Sequence, residues 1–391
     1  NEQRLQTGAH YINNLLVHQL RRMGNTVTSL YPRESITLFS PSYKGISNIL
    51  FFYSLITKQR EIKRYHIVQG TTYTTLAFLE RGVPVISHFG STAQGFLKSI
   101  PSPGNLKKEH PMLTRIFGDL RNHGVINSVR PAVKALGDIR AIERYVAMKS
   151  DSVIATSQKV KEELIKDGIP QGKIAVIHNG IEDFWFRNEI EKTGKLRAEI
   201  VYVGRMGNDA FTIKLKGINR LIYILKKFPK ARKKVIGLTT KEKEFRAFFD
   251  TIPNVSSYLN VKRKLISEKV LQGNYADIFV NPARYEGFCL SLIEAMSRGL
   301  VPVSFPVGVV PEIIHNGKNG YIVSTLEEME RKIRYLLPRK SLRVKMAENA
   351  METAKMFRPE GIVERYVSLY KRVVRKYEWE SSARSWKPPA A

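Results

Sequence analysis

Two glutamates in the segment RYEGFCLSLIEAMSRGLVPVSFPVGVVPE have the setting, more than the spacing, for work on a ligand. Glu286 and Gly287 open an apolar stretch expected to be helical, and Glu294 lies inside it, with seven residues between the two acids. Burying an ionised carboxylate is costly unless something satisfies it, so the pattern asks for a polar ligand with hydroxyls to offer. Spacing alone carries nothing, because Glu191 and Glu199 stand equally far apart without that context. The competing reading of each acid is a solvated surface residue.

Positioning such a pair needs a scaffold, and the scaffold is legible as alternating helix and strand. Apolar spacing over Tyr11 to Leu20 is helical, Gly24 closes that helix, and Val27 to Leu30 and Ile36 to Phe39 read as short strands. Short buried strands are expected at His66 to Gln69, Val83 to His88, Ser152 to Thr156 and Ile174 to His178, with helices at Thr72 to Glu80 and Gln158 to Lys166. Residues 100 to 130, broken by Pro and Gly, read as a long loop. A second set of strands is expected at Glu199 to Val203, Lys234 to Leu238, Ile278 to Asn281, Val301 to Ser304 and Tyr321 to Val323. Alternation of this kind implies parallel βαβ units. The fold class is therefore α/β, with two doubly wound domains whose strand ends would face a central cleft. The chain opens at Asn1 on a loop running into a helix, so an opening strand is expected to be missing or displaced, and an upstream segment to be absent.

Composition bounds the rest. With 391 residues, 43% hydrophobic and 25% charged, the chain has material for two full cores. The single cysteine, Cys289, excludes an internal disulfide and points to a reducing compartment or to indifference to redox, with the cytoplasm as the default expectation. No stretch has the length and apolarity of a membrane span. The net charge of +29 is distributed, with 20 Lys/Arg against 8 Asp/Glu in residues 1–150 and 36 against 18 in residues 201–391. Such a surface attracts nucleic acid, anionic lipid or phosphorylated small molecules alike.

A family resemblance narrows the choice. Tyr285-Glu286-Gly287-Phe288, Glu294-Ala295, Gly299 and Val301-Pro302-Val303 resemble the signature of retaining GT-B glycosyltransferases of family 4, also called group 1. Gly204-Arg205 followed by Lys216-Gly217, Asn179-Gly180-Ile181, Pro311-Glu312 and Asn316-Gly317 are similar to that family's landmarks. The resemblance implies two Rossmann-like domains, here 1–185 on the acceptor side and 186–356 on the nucleotide-sugar side, with 357–391 crossing back as a helix. It implies transfer of a sugar from a UDP- or GDP-sugar with the anomeric configuration kept. Loss of a diphosphate leaving group develops negative charge, for which Arg205 and Lys216 are the candidate cations. Lys216 is preferred to Lys214 because Gly217 follows it and a helix starts there. Gly287 lets the backbone approach closely, and a helix starting near Phe288 and running through Cys289 and Leu290 would aim N–H groups at a phosphate. No metal and no cofactor is then required.

By resemblance Glu286 holds donor-sugar hydroxyls, Glu294 the ribose hydroxyls, His88 the donor sugar or the acceptor, and Gly8 stands in a loop near the donor phosphates. Cys289 reads as a small filler, since no histidine partner is evident for a nucleophile. Front-face attack, in which the departing phosphate accepts the acceptor's proton, is favoured over a covalent Glu286 intermediate. Lys98, Lys107, Lys108, Arg115, Arg121, Arg130 and Lys134, interleaved with Phe96, Leu97, Leu113, Ile116 and Phe117, read as a face for an anionic membrane surface. The acceptor is accordingly expected to be a glycan or a lipid-linked sugar. No nucleic-acid partner is expected, because no reading module accompanies the charge. A GT-B relative of other chemistry, such as an epimerase or phosphorylase, a basic nucleic-acid-binding protein, and a catalytically dead sugar-binding scaffold remain the alternatives.

Overall fold

Short β-branched runs bounded by turn residues do form the strands, and every strand pairing among the described residues is parallel. The computed structural model describes residues 8–31, 47–126, 133–187, 190, 192 and 194–385. These divide into two compact units. One takes the described residues of Asn1–Gly95, Ala132–Gly180 and Pro359–Ala391, and the other those of Phe96–Pro131 and Ile181–Arg358.

In the first unit β1 (Val68–Thr71), β2 (Val85–Phe89), β3 (Ser152–Ala155) and β4 (Ile174–Val176) lie in that order in one sheet. Ile86, Ile154 and Ile177 pack against Ile362, Val363 and Tyr366 of the helix Pro359–Ser385 and against Leu16 and Leu20 of the helix Gly8–Arg22. Phe89, Val153 and Ala155 pack with Val160 and Leu164 of the helix Gln158–Lys166. The helix spacing at 16 and 20, and at 160 and 164, is what turns one apolar stripe toward a sheet. Residues 27–30 are not a strand: among the described residues β1 has β2 as its only neighbour in the sheet, and Val27 instead accepts a bond from the Arg21 side chain at 2.8 Å. The strand expected at 36–39 lies outside the described residues. The helix expected from Thr72 is a run of 3-10 turns, Thr72–Phe78.

The second unit is built on β5 (Ile200–Arg205), β6 (Lys233–Leu238), β7 (Val255–Leu259), β8 (Ile278–Asn281), β9 (Val301–Ser304) and β10 (Tyr321–Ile322). Their order across the sheet is β10-β9-β8-β5-β6-β7. Counted within the unit this is the Rossmann order, which reverses between β5 and β8, where open α/β sheets hold ligands beyond the strands' carboxyl ends. The edge strand β7 was not expected, because Ser256 and Ser257 interrupt its apolar pattern.

The stretch 100–126 is not a loop. Pro103 and Pro111 stand in the first turns of helices Pro103–Glu109 and Pro111–Asn122, where proline is tolerated. Ser102 and His110 cap them by accepting from the backbone amides of Asn105 and Met112. Leu106, Leu113, Ile116 and Leu120 are all buried in the core of the second unit. Of the apolar residues of the expected membrane face, Leu113 and Ile116 are therefore internal and Phe96, Leu97 and Phe117 half-buried, while Lys98, Lys107, Lys108, Arg115 and Arg121 are exposed. Arg130 and the Lys134 side chain lie outside the description.

Candidate active site

Arg205 ends β5 and the segment Pro282–Cys289 follows β8, so both issue from the point where the strand order of the second unit reverses. The ten residues between Arg205 and Lys216 contain a short helix, Ala210–Leu215, whose N-cap Asp209 accepts from the Thr212 amide at 2.8 Å. Lys216 ends that helix. Gly217 then turns the chain at φ +64° and starts the helix Ile218–Lys227. A Cβ at 217 would stand 2.0 Å from the carbonyl oxygen of Pro282, so the segment after β8 lies directly on this turn. That close approach brings the Lys216 ammonium to 2.7 Å from Glu286 Oε1, with the two side chains 17% and 19% exposed.

Further groups surround the pair. The Tyr202 hydroxyl is pushed well above its ordinary range by burial, then by the charges of Glu286 and Cys289, with Arg205 opposing. Cys289 is buried at φ +90°, and burial, followed by the Glu286 charge, raises its thiol to about 12. A thiol so far from ionising is no nucleophile at neutral pH, and its sulfur instead accepts a weak bond from Asn281 at 3.4 Å. The left-handed conformation of Cys289 also delays the helix, which runs Leu290–Ser297 and begins two residues beyond the expected Phe288. The Phe288 ring is buried edge-on to Phe357 at 5.8 Å, Gly287 is buried, and Leu290 packs on the core.

Glu294 does not join Lys216 and Glu286. It is 6% exposed and pairs with Arg263 at 2.5 Å, while Arg263 also reaches Glu182 at 2.8 Å. Burial lifts its carboxyl to about 7, with Arg263 opposing and Glu182 adding to the rise. Arg263 lies within the KRK run at 262–264 and nothing in its sequence setting marks it.

His88 and Gly8 belong to the first unit. Gly8 opens the first described helix. His88 is 4% exposed on β2, which continues to Phe89, and its ring lies 6.1 Å from that of Tyr366. His88 Nε2, Thr156 Oγ1, Asn179 Oδ1 and the Tyr366 hydroxyl are buried without a hydrogen-bond partner among the described residues. His88, Thr156 and Asn179 each stand two residues beyond Ile86, Ile154 or Ile177, which pack on the Pro359–Ser385 helix. Polar atoms left unpaired in this way are exceptional and call for a partner.

Burial lowers the His88 pKa to about 4, so the ring is neutral at physiological pH. The unfolded residue titrates near 6.5, so between the two values only the unfolded chain takes the proton. The stabilisation is whole above about pH 6.5 and falls as pH drops toward 4, by roughly 3 kcal/mol in all. Urea titrations across that window should show a shallower pH slope for His88→Gln than for the parent. Equal slopes would remove His88 as the buried titrating group.

Comparison with known proteins agrees with this architecture. Residues 8–183 match the family model described as Glycosyltransferase Family 4, and residues 185–353 that described as Glycosyl transferases group 1. An uncharacterised glycosyltransferase of Methanocaldococcus jannaschii is 25% identical over 60% of this chain and 62% of its own length. A probable sucrose-phosphate synthase of Thermosipho melanesiensis is 28% identical over 63% of this chain and 56% of its own. A Campylobacter jejuni enzyme, N,N'-diacetylbacillosaminyl-diphospho-undecaprenol alpha-1,3-N-acetylgalactosaminyltransferase, is 35% identical over 30% of this chain and 31% of its own. The matches thus span less than two thirds of these relatives. Among solved structures, sucrose-phosphate synthase from Thermosynechococcus elongatus superposes with a TM-score of 0.64 at 14% identity, over 88% of this chain and 82% of that one. WaaG, of lipopolysaccharide biosynthesis, and Anabaena HepE with UDP and glucose each give 0.62, at 16% and 13% identity, over 93% of this chain and 96% of theirs. Two family models that between them run from Gly8 to Thr353, on two Rossmann-like units of the GT-B kind, establish that the chain belongs to the group 1, family 4 glycosyltransferases.

Proposed function

We propose that the protein transfers a glycosyl group from a nucleotide diphosphate sugar, UDP- or GDP-linked, to a hydroxyl of a glycan or lipid-linked acceptor, with retention and without a metal. The observation that carries the reading is the Lys216–Glu286 pair at the strand-order reversal. As the bond from the anomeric carbon to the diphosphate oxygen breaks, the leaving group gains negative charge, and Lys216 with Arg205 offers positive charge to it. Glu286 accepts hydrogen bonds from donor-sugar hydroxyls. In front-face attack the acceptor oxygen bonds to the anomeric carbon on the side the phosphate leaves, and its proton passes to the departing phosphate oxygen. His88, held neutral, can share a hydrogen bond with a sugar hydroxyl and cannot serve as a cationic acid at pH 7. The unpaired polar atoms of Thr156, Asn179 and Tyr366 suit the same hydroxyl-rich chemistry.

The known relatives support the ligand classes. HepE was seen with UDP-glucose, and the Campylobacter relative acts on a diphospho-undecaprenol-linked sugar. A thermal-shift series with UDP, GDP and their sugars tests donor binding. At 100 times Kd a bound ligand adds about 2.7 kcal/mol of stability, so one nucleotide class should raise the Tm by several degrees, and Lys216→Ala should reduce the rise without abolishing it. No shift with any nucleotide would contradict the reading.

A lipid-linked acceptor also implies residence at a membrane, although no described helix is long and apolar enough to cross one. The exposed Lys98, Lys107, Lys108, Arg115 and Arg121 would contribute about 1 kcal/mol each near anionic headgroups. The protein should float with phosphatidylglycerol-containing vesicles and release as salt rises. Active protein that stays unbound at physiological salt would end the membrane part of the proposal.

A further inference from the structure

Arg284 stands two residues before Glu286, with its side chain 5% exposed. Its Nε and Nη2 donate to the two oxygens of Glu109 at 3.0 and 2.8 Å, a bidentate pair across 175 residues of sequence. Its Nη1 donates to the Lys214 carbonyl at 2.6 Å and to Asn219 Oδ1 at 3.1 Å, and its backbone amide donates to the Leu215 carbonyl at 2.9 Å. One guanidinium thus ties the turn carrying Lys216 to the segment carrying Glu286. Glu109 also accepts from Arg220 Nε at 3.0 Å, and the Arg220 guanidinium lies 4.1 Å from the centre of the Phe305 ring. Burial works against ionising Glu109, but the bonds from Arg284 and Arg220 outweigh it and hold its carboxyl below the ordinary range. Beside the pair, the Phe96 ring meets that of Tyr285 edge-on at 5.1 Å.

We infer that Glu109 is a positioning residue, which through Arg284 sets the geometry of Lys216 against Glu286 and makes the helix Pro103–Glu109 a support of the donor site. The inference rests on the donor-site reading of that pair. Without the carboxylate, two close arginines of low exposure would repel each other, and Arg284 would lose the fork that orients it. The Lys214 carbonyl and the segment from Pro282 to Glu286 would then move apart. Glu109 borders an open cavity of about 480 Å³ lined also by Lys98, Asn105 and Lys108, so an isosteric amide meets no packing obstacle there.

Glu109→Gln, Arg284→Gln and the double variant test this with two readouts. The first, amide hydrogen exchange, needs no ligand: Glu109→Gln should speed exchange about 10-fold or more in peptides covering 214–217 and 282–289 while leaving β6 unchanged. The second is hydrolysis of UDP-glucose or GDP-mannose, whichever the parent turns over. There kcat should fall about 10- to 100-fold with KM within about threefold, and the double variant should be no worse than Arg284→Gln alone. Unchanged exchange, a kcat within about threefold of the parent, or multiplicative losses in the double variant would each overturn the inference. If the parent binds no UDP or GDP nucleotide in the thermal-shift series, the donor-site reading has failed and the exchange result alone decides the positioning role. Should Glu109→Gln not fold, Glu109→Asp, which keeps the charge but shortens the reach, takes its place in both measurements.

Discussion

Glu286→Ala and Lys216→Ala should each yield a folded protein whose sugar transfer is at least about 100-fold slower, the scale on which lost transition-state charge stabilisation is felt. Both side chains are four-fifths buried and face each other at 2.7 Å, yet neither belongs to the apolar core. Removing either one leaves its partner close to solvent, so the cost in stability should stay near 1 to 3 kcal/mol. The kinetic consequences differ in kind. Lys216 acts on charge that grows as the leaving group departs, so its loss should lower kcat more than it raises KM. Glu286 holds sugar hydroxyls throughout, and its replacement by Gln, which keeps shape and one acceptor, should recover part of the loss. Because the two act as one pair, the double variant should be little worse than the poorer single one. Turnover within about threefold of the parent in either alanine variant would displace the site.

Gly217→Ala should have the largest effect on stability and should take activity with it. At φ +64° an alanine pays about 1 kcal/mol for its backbone alone. The added Cβ would also stand 2.0 Å from the Pro282 oxygen and 2.6 Å from its carbon, and backbone cannot swing aside as a flexible side chain can. The expected loss is about 3 kcal/mol or more. Relief must come from moving the segment that carries Glu286, so turnover should fall even in the folded fraction. Gly317 is an internal control, since it has φ +79° and nothing within 4 Å of a built Cβ. Gly317→Ala should cost about 1 kcal/mol and leave turnover unchanged. Equal urea midpoints for the two variants would show that the contact with Pro282 is not tight.

How much of this was legible in the sequence depends on the range of the interaction. Ile278–Asn281, Val301–Ser304 and the helix Gln158–Lys166 stand where apolar period and flanking turn residues put them. The helices at 103–122 were hidden because Pro103 and Pro111 read as breakers, when at a helix start they are compatible with it. With those helices unseen, Leu113 and Ile116 looked like surface residues rather than core. Lys216 and Glu286 were found 70 residues apart because each sits in a local pattern with glycine beside it. Glu109 and Arg284 sit in no such pattern, and neither does Arg263, which holds the Glu294 expected to meet a ribose. Contacts of that length are made by the sheet order, and local residue patterns carry no record of them.

The most direct test is the anomeric configuration of the first product. Proton NMR would follow hydrolysis of α-linked UDP-glucose and GDP-mannose with water as acceptor, in the presence of EDTA, over times short against mutarotation. The account predicts that one of the two donors releases the α-sugar first, undiminished by EDTA, and that Lys216→Ala slows the release at least about 100-fold. Release of the β-sugar first, or release that Lys216→Ala leaves at the parent rate, would contradict it.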